Sequence, residues 1–220
     1  MIAGWPTPAG EAYAVSFDRG RRHRLLVLPA WFDESNKLRH FTVEVMRRLD
    51  GAGVDGFLPD LPGCNESLAP LEDQTLDSWR AEAAEAAWHF SATHVLTIRA
   101  GAMIAPDSLP GWRYASVAGN SQLRALLRAR VLASREAGRD EDRERLLEEG
   151  RKNGLELAGY RLGAMMIDNL AAAELPAAGK QRDVAQGDIG GAGLWLRAEP
   201  DYDPRHADAL AAIVAMELMA

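Results

Sequence analysis

His94-Val95-Leu96-Thr97-Ile98-Arg99-Ala100-Gly101-Ala102-Met103-Ile104-Ala105 is the stretch on which the reading of the chain turns. A short apolar, β-branched run, then small residues, then a second apolar run reads as a buried strand, a very tight turn and the first turn of a helix. That shape is a nucleophile elbow, written G-x-S-x-G, in which a serine stands at a strained turn and small neighbours let strand and helix approach closely. Here the pattern falls on Thr97-Ile98-Arg99-Ala100-Gly101. The second glycine is kept, the first is threonine, and the serine position holds Arg99.

The rest of the chain must supply a core around that strand. With 220 residues and 47% hydrophobic content, a single domain over residues 1–220 is expected. The net charge of −7 argues against nucleic acid or an anionic membrane as a partner, because both need clustered cations. One cysteine excludes an intramolecular disulfide, and Cys and His are too few and too scattered for a structural zinc site, so no metal and no cofactor are expected. No run approaches the roughly 20 apolar residues of a membrane span, and the start of the chain lacks signal-peptide character. These features predict a cytoplasmic protein with no membrane span.

Working outward from the elbow, residues 11–17 alternate, and residues 24–28 follow after a turn at Asp18-Arg19-Gly20-Arg21-Arg22. They read as an antiparallel hairpin, with Leu25 to Leu28 apolar on both faces and therefore central. An irregular loop, residues 29–37, precedes a helix carrying Leu38, Phe41, Val45, Met46 and Leu49, with Ser35 or Asn36 as its cap. Residues 54–58 are a further strand, and Thr75 caps a helix presenting Leu76, Trp79, Ala83, Ala86, Ala87 and Phe90. After the elbow, residues 113–118 read as another strand. Strands alternating with helices predict a mostly parallel sheet with right-handed crossovers and helices on both faces.

From Ser121 the pattern turns helical, and residues 121–153 read as a helical insertion whose charged part, 140–152, is a solvated face. Residues 161–170 are a small helix, residues 176–193 a long loop, and Leu194-Trp195-Leu196-Arg197 a last strand. Asp203-Pro204 opens a final helix bearing Leu210, Ile213, Val214 and Leu218, with Asp203 as its cap. Trp31, Trp79, Trp88 and Trp112 are core or cleft-wall aromatics.

Three pieces carry a family resemblance: Pro29-Ala30-Trp31-Phe32-Asp33-Glu34-Ser35-Asn36-Lys37, Pro59-Asp60-Leu61-Pro62-Gly63-Cys64-Asn65-Glu66-Ser67 and Leu155-Glu156-Leu157-Ala158-Gly159-Tyr160-Arg161-Leu162. In order and spacing, over roughly residues 25–175, the chain resembles the α/β-hydrolase-like proteins called exosortase A system-associated hydrolase 2. The resemblance implies an α/β-hydrolase-like fold, a mostly parallel central sheet with helices on both faces and a reduced helical cap region. It also implies an ester or thioester hydrolase encoded beside exosortase and exopolysaccharide genes, in a family whose elbow tends to carry arginine.

Residue chemistry pulls the other way. Hydrolases of this class use a Ser, Cys or Asp nucleophile, then an acid, then a late His. A guanidinium stays protonated and has no lone pair with which to attack. Arg99 at the top of a buried strand needs a partner, for which Asp33 and Glu34 are the candidates. His206 is the late histidine, with Asp188, Asp201 or Asp203 to orient it. Ala100, together with an N–H near Trp31 or Phe32, would form an oxyanion-hole-like donor pair. Cys64 has no neighbouring cation to activate it, and Asp60 ties the turn that follows it. Two readings remain open: an ester hydrolase, or a hydrolase-fold protein that has lost the chemistry. The second would use Trp31, Phe32, Glu34 and Ala100 to bind an anionic small molecule, or would bind a protein partner. A homodimer is compatible with either.

Overall fold

The computed structural model describes residues 1–7 and 10–219. Nine strands are present among the described residues: β1 (Ile2–Thr7), β2 (Gly10–Phe17), β3 (Arg24–Leu28), β4 (Asp55–Pro59), β5 (His94–Ile98), β6 (Gly111–Tyr114), β7 (Leu155–Leu157), β8 (Tyr160–Leu162) and β9 (Gln181–Val184). Seven form one sheet in the order β1-β2-β4-β3-β5-β6-β9, in which β1 and β2 are antiparallel and the other five run parallel. Leu25, Leu26, Val27 and Leu28 are all buried, since β3 lies between β4 and β5 with helices on both sides. Alternate residues feed two cores. Leu26, Leu28, Phe57 and Val95 meet α2 (Leu76–His89), α3 (Gly119–Glu136) and α5 (Ala164–Ala172) on one face. Leu25, Val27, Leu96 and Ile98 meet α1 (Asp33–Gly51) and α7 (Pro204–Leu218) on the other. Each fully buried aliphatic side chain contributes about 2 kcal/mol.

The expected hairpin of residues 11–17 with 24–28 does not form. β2 pairs with β4 and β1, and β3 runs parallel to β4. Asp55 explains the crossing: its buried carboxylate accepts the backbone N–H groups of Arg19 (3.1 Å) and Arg21 (2.8 Å) and Nη1 of Arg24 (3.1 Å). The turn is thus pinned to the start of β4, and β2 leaves on its far side.

Other boundaries also move. α1 starts at Asp33, with Phe32 at the N-cap and no side-chain cap, so neither Ser35 nor Asn36 serves. Asp33 and Glu34 in its first turn complement the helix dipole instead. Thr75 and Ser78 form the reciprocal cap of α2, and Asp203 caps α7 through the N–H of Arg205, both as expected. Trp88 is 78% exposed, on the solvent face of α2, and so is not a core aromatic. β6 begins at Gly111 and ends before Ala115, whose φ of 47° breaks the extended run. The residues expected as a helix from Arg161 belong first to a hairpin, β7 with β8, turned by Ala158 and Gly159 at φ 51° and 81°. The 176–193 region is not a loop throughout. It carries β9, an edge strand whose Gln-Arg-Asp-Val sequence has no alternating apolar signal, and the short helix α6 (Gln186–Ile189). The strand expected at 194–197 is a 3₁₀ turn, Leu194–Leu196.

Between β6 and β9 the chain inserts α3, α4 (Arg143–Asn153), the β7–β8 hairpin and α5. Glu141 braces the α3–α4 connection: Arg130 donates to it from Nε (2.7 Å) and Nη2 (2.8 Å), and Ser134 adds its hydroxyl. These bonds, Arg130's first, hold the Glu141 carboxyl down at about 2, from an ordinary 4.5. A depressed carboxylate stabilises the fold only when ionised, so its contribution is whole above pH 4.5 and fades as pH falls toward 2. The gap in unfolding temperature between the wild type and Glu141→Gln is expected to be open at neutral pH and closed near pH 2. A gap that persists at pH 2 refutes the assignment.

Candidate functional site

β5 ends at Ile98, and Arg99 takes φ 55°, the left-handed region that costs a non-glycine residue about 1–2 kcal/mol. The sharp turn stands where the sequence predicts it. The helix behind it is only a 3₁₀ turn, Arg99–Met103, because the chain reaches Pro106 and Pro110 before a longer helix can form. Small residues are needed here. A Cβ on Gly101 would lie 2.6 Å from the Leu28 carbonyl oxygen and 2.8 Å from that of Pro29.

The Arg99 side chain is held on every side. Nε and Nη2 each donate to a different oxygen of Glu34 at 2.9 Å, and Nη1 donates to the Ala115 carbonyl at 2.6 Å. The Trp195 ring lies against the guanidinium, its centroid 4.0 Å from Cζ. Of the two acids proposed as partners, Glu34 is the one used, while Asp33 pairs with Lys37 at 2.8 Å. A guanidinium has five N–H groups, so one on each terminal nitrogen is left over. Arg99 lines a cleft of about 430 Å³ between the start of α1, the face of α3 and the 3₁₀ turn of Trp195; Gln122, Leu126, Arg128 and Leu196 are among its walls. Neither the Gln122 amide nor the Arg128 guanidinium has a side-chain partner among the described residues.

The remaining sequence candidates lie apart from this cleft. His206, on the first turn of α7, is 4% exposed and does not line it. Its Nε2 is 3.8 Å from Asp203, beyond hydrogen-bond reach, and its Nδ1 is buried without a partner among the described residues. Asp203 is engaged by Arg205, whose guanidinium holds its carboxyl below the usual range. Asp188 accepts the Ala185 N–H at 2.7 Å, and Asp201 pairs with Arg197. Trp31 and Phe32 line a second cavity, of about 240 Å³, and Ala100 is buried beside the turn without forming a wall of the Arg99 cleft.

That second cavity gathers the three sequence pieces of the family resemblance. Trp31, Phe32 and Asn36 come from the first, Cys64 and Asn65 from the second, and Tyr160 from the third. Asn36 Nδ2 donates to the Tyr160 hydroxyl at 2.9 Å, and the Phe32 and Tyr160 rings meet edge-on, 5.5 Å apart. Burial pushes the Cys64 thiol up to about 12, with Asp60 adding to the effect, so it is inert at neutral pH. Asp60 accepts Asn65 Nδ2 at 2.8 Å and faces Arg39 at 3.2 Å, and burial raises its pKa. Among the described residues no group of three His, Cys, Asp or Glu side chains is placed to hold a metal ion, and no helix is long and apolar enough to cross a membrane. Sequence reasoning missed Trp195, Gln122, Arg128 and the Ala115 carbonyl. Only Trp195 carried a signal, as an aromatic in a Gly-rich region.

The sheet order, the strained turn after its central strand and the helices on both faces define an α/β-hydrolase-like fold. The solved structure of alpha/beta hydrolase domain-containing protein 10 from mouse is similar over 84% of this chain and 77% of its own, with a TM-score of 0.58 and 13% identity. A proline iminopeptidase-related protein from Thermus thermophilus is similar over 69% of this chain at 20% identity and a TM-score of 0.48. An alpha/beta hydrolase from a Penicillium species is similar over 64% at 15% identity and a TM-score of 0.46. The chain covers 56% of each of these last two. Compared by sequence, it matches no family model and no curated protein.

Proposed function

We propose that this chain is a hydrolase-fold protein that binds rather than hydrolyses. In this reading, the cleft beside Arg99 takes a small ligand with an apolar body and a carboxylate or phosphate end. The observation that carries it is the elbow side chain. Arg99 stands where a hydrolase of this fold keeps its serine, and its guanidinium is locked by both oxygens of Glu34, the Ala115 carbonyl and the Trp195 ring. No group at that point can attack a carbonyl carbon, and among the described residues His206 has no acid within hydrogen-bond reach to orient it. Leu126, Leu196 and Trp195 offer an apolar wall, and Arg128 and Gln122 offer donors for an anionic end. A setting beside exosortase and exopolysaccharide genes rests on the sequence resemblance of residues 29–37, 59–67 and 155–162 alone.

Two assays test the reading. With short-chain p-nitrophenyl esters and a fluorophosphonate probe, the protein is expected to show neither turnover nor labelling. Robust turnover that disappears in His206→Ala overturns the binding-only reading. In calorimetry, decyl phosphate is expected to bind the wild type, with affinity falling about tenfold in Arg128→Ala, as for one lost charge-assisted hydrogen bond. Absence of binding to the wild type removes the ligand assignment.

A further inference from the structure

Arg128 belongs to two concavities at once. Besides the Arg99 cleft, it lines a groove of about 350 Å³ between α3 and the start of α4, together with Val131, Leu132, Arg135, Asp142 and Arg143. Arginines 128 and 135 are seven residues apart on α3, two turns and about 10 Å along the same face, with Val131 and Leu132 between them.

The distribution of unpaired cations singles this region out. Among the described residues, every lysine and arginine outside residues 124–152 makes an ion pair with an acid, except Arg22 and Lys180. Within that segment only Arg130 and Arg151 do so. Arg128, Arg135 and Arg143 thus form no ion pair among the described residues, Arg143 acting on Asp142 only at longer range, in a chain whose net charge is −7. Two acids also line the groove. Asp142, the N-cap of α4, is held ionised by the N–H groups of Arg145 and Glu144, so it and Glu144 both oppose an anion, and the three arginines of the groove outnumber them. Leu132 is 60% exposed despite being apolar, so the groove has a greasy floor between its cations.

We infer that the ligand of the Arg99 cleft carries more than one anionic group, and that an oligophosphate-type head runs past Arg128 into the α3–α4 groove, where Arg135 and Arg143 hold its outer charges. This inference rests on the proposed binding function of the cleft and specifies its ligand class. The physical reason is multivalency: linked anions engaging successive guanidinium groups gain affinity that a single phosphate cannot.

The test is calorimetry on the full chain with inorganic phosphate and tripolyphosphate at fixed ionic strength. Tripolyphosphate is expected to bind at least tenfold more tightly than phosphate. The double variant Arg135→Ala/Arg143→Ala is expected to abolish that advantage while leaving decyl phosphate binding unchanged. The control Arg22→Ala/Lys180→Ala, which removes the same charge elsewhere, is expected to retain it. Equal affinities for the two probes, or equal losses in the double variant and the control, overturn the inference. If decyl phosphate binds but tripolyphosphate shows no advantage, only the inference falls. If decyl phosphate fails as well, the proposed binding function falls with it. All four arginine and lysine changes are at surface positions, and a matching unfolding temperature verifies that each variant is folded.

Discussion

Glu34→Ala is expected to lower the unfolding midpoint by roughly 6–12 °C. The substitution strands the Arg99 guanidinium, whose side chain is only 12% exposed, against Trp195 with its two-pronged acid gone. Removing one member of a buried ion pair costs about 3 kcal/mol, because the remaining charge is desolvated and unpaired, and each kcal/mol shifts the midpoint by about 2–4 °C in a chain of this size. Glu34→Gln keeps the shape and one acceptor, so it is expected to lose less. The measurement is thermal unfolding followed by circular dichroism. A midpoint unchanged within error in Glu34→Ala shows that the pair does not brace the turn. Arg99→Ser, which places a serine at this strained turn, is expected to be inactive on esters, since His206 stays outside the cleft.

The larger effect is expected at the other end of the strands. Asp55→Ala is expected to cost about 4 kcal/mol, or roughly 8–16 °C. Its fully buried carboxylate collects two backbone N–H groups and the guanidinium groups of Arg21 and Arg24. Without it, those donors face a low-dielectric pocket unsatisfied, and the turn joining β2 to β3 loses its anchor on β4. Hydrogen exchange of the Arg19 and Arg21 amides reports the release directly. Protection equal to that of the wild type contradicts the anchoring role.

How far the sequence reaches differs between fold and site. The strand before Arg99, the sharp turn and the need for small residues follow from six or seven adjacent side chains. So does the centrality of Leu25 to Leu28, which have no polar face to offer water. Thr75 and Asp203 are caps by short-range hydrogen bonding, and both act as such. The requirement for an acid at Arg99 is also legible, because a guanidinium at a buried strand end cannot stand alone. Three features were not legible: the pairing of β2 with β4, the four-residue polar strand β9 at the sheet edge, and the placement of Trp195 over Arg99.

By itself, then, the sequence determined the central strand, the sharp turn after it and the permanently protonated side chain of Arg99 at that turn. These are set by sterics, periodicity and protonation chemistry acting over a few bonds. Only the tertiary structure decided that Glu34 and not Asp33 grips Arg99, that His206 lies outside the cleft, and that three distant segments close around Tyr160. Those outcomes depend on which buried charges and faces the folded chain brings together across tens of residues, and no local pattern encodes that choice.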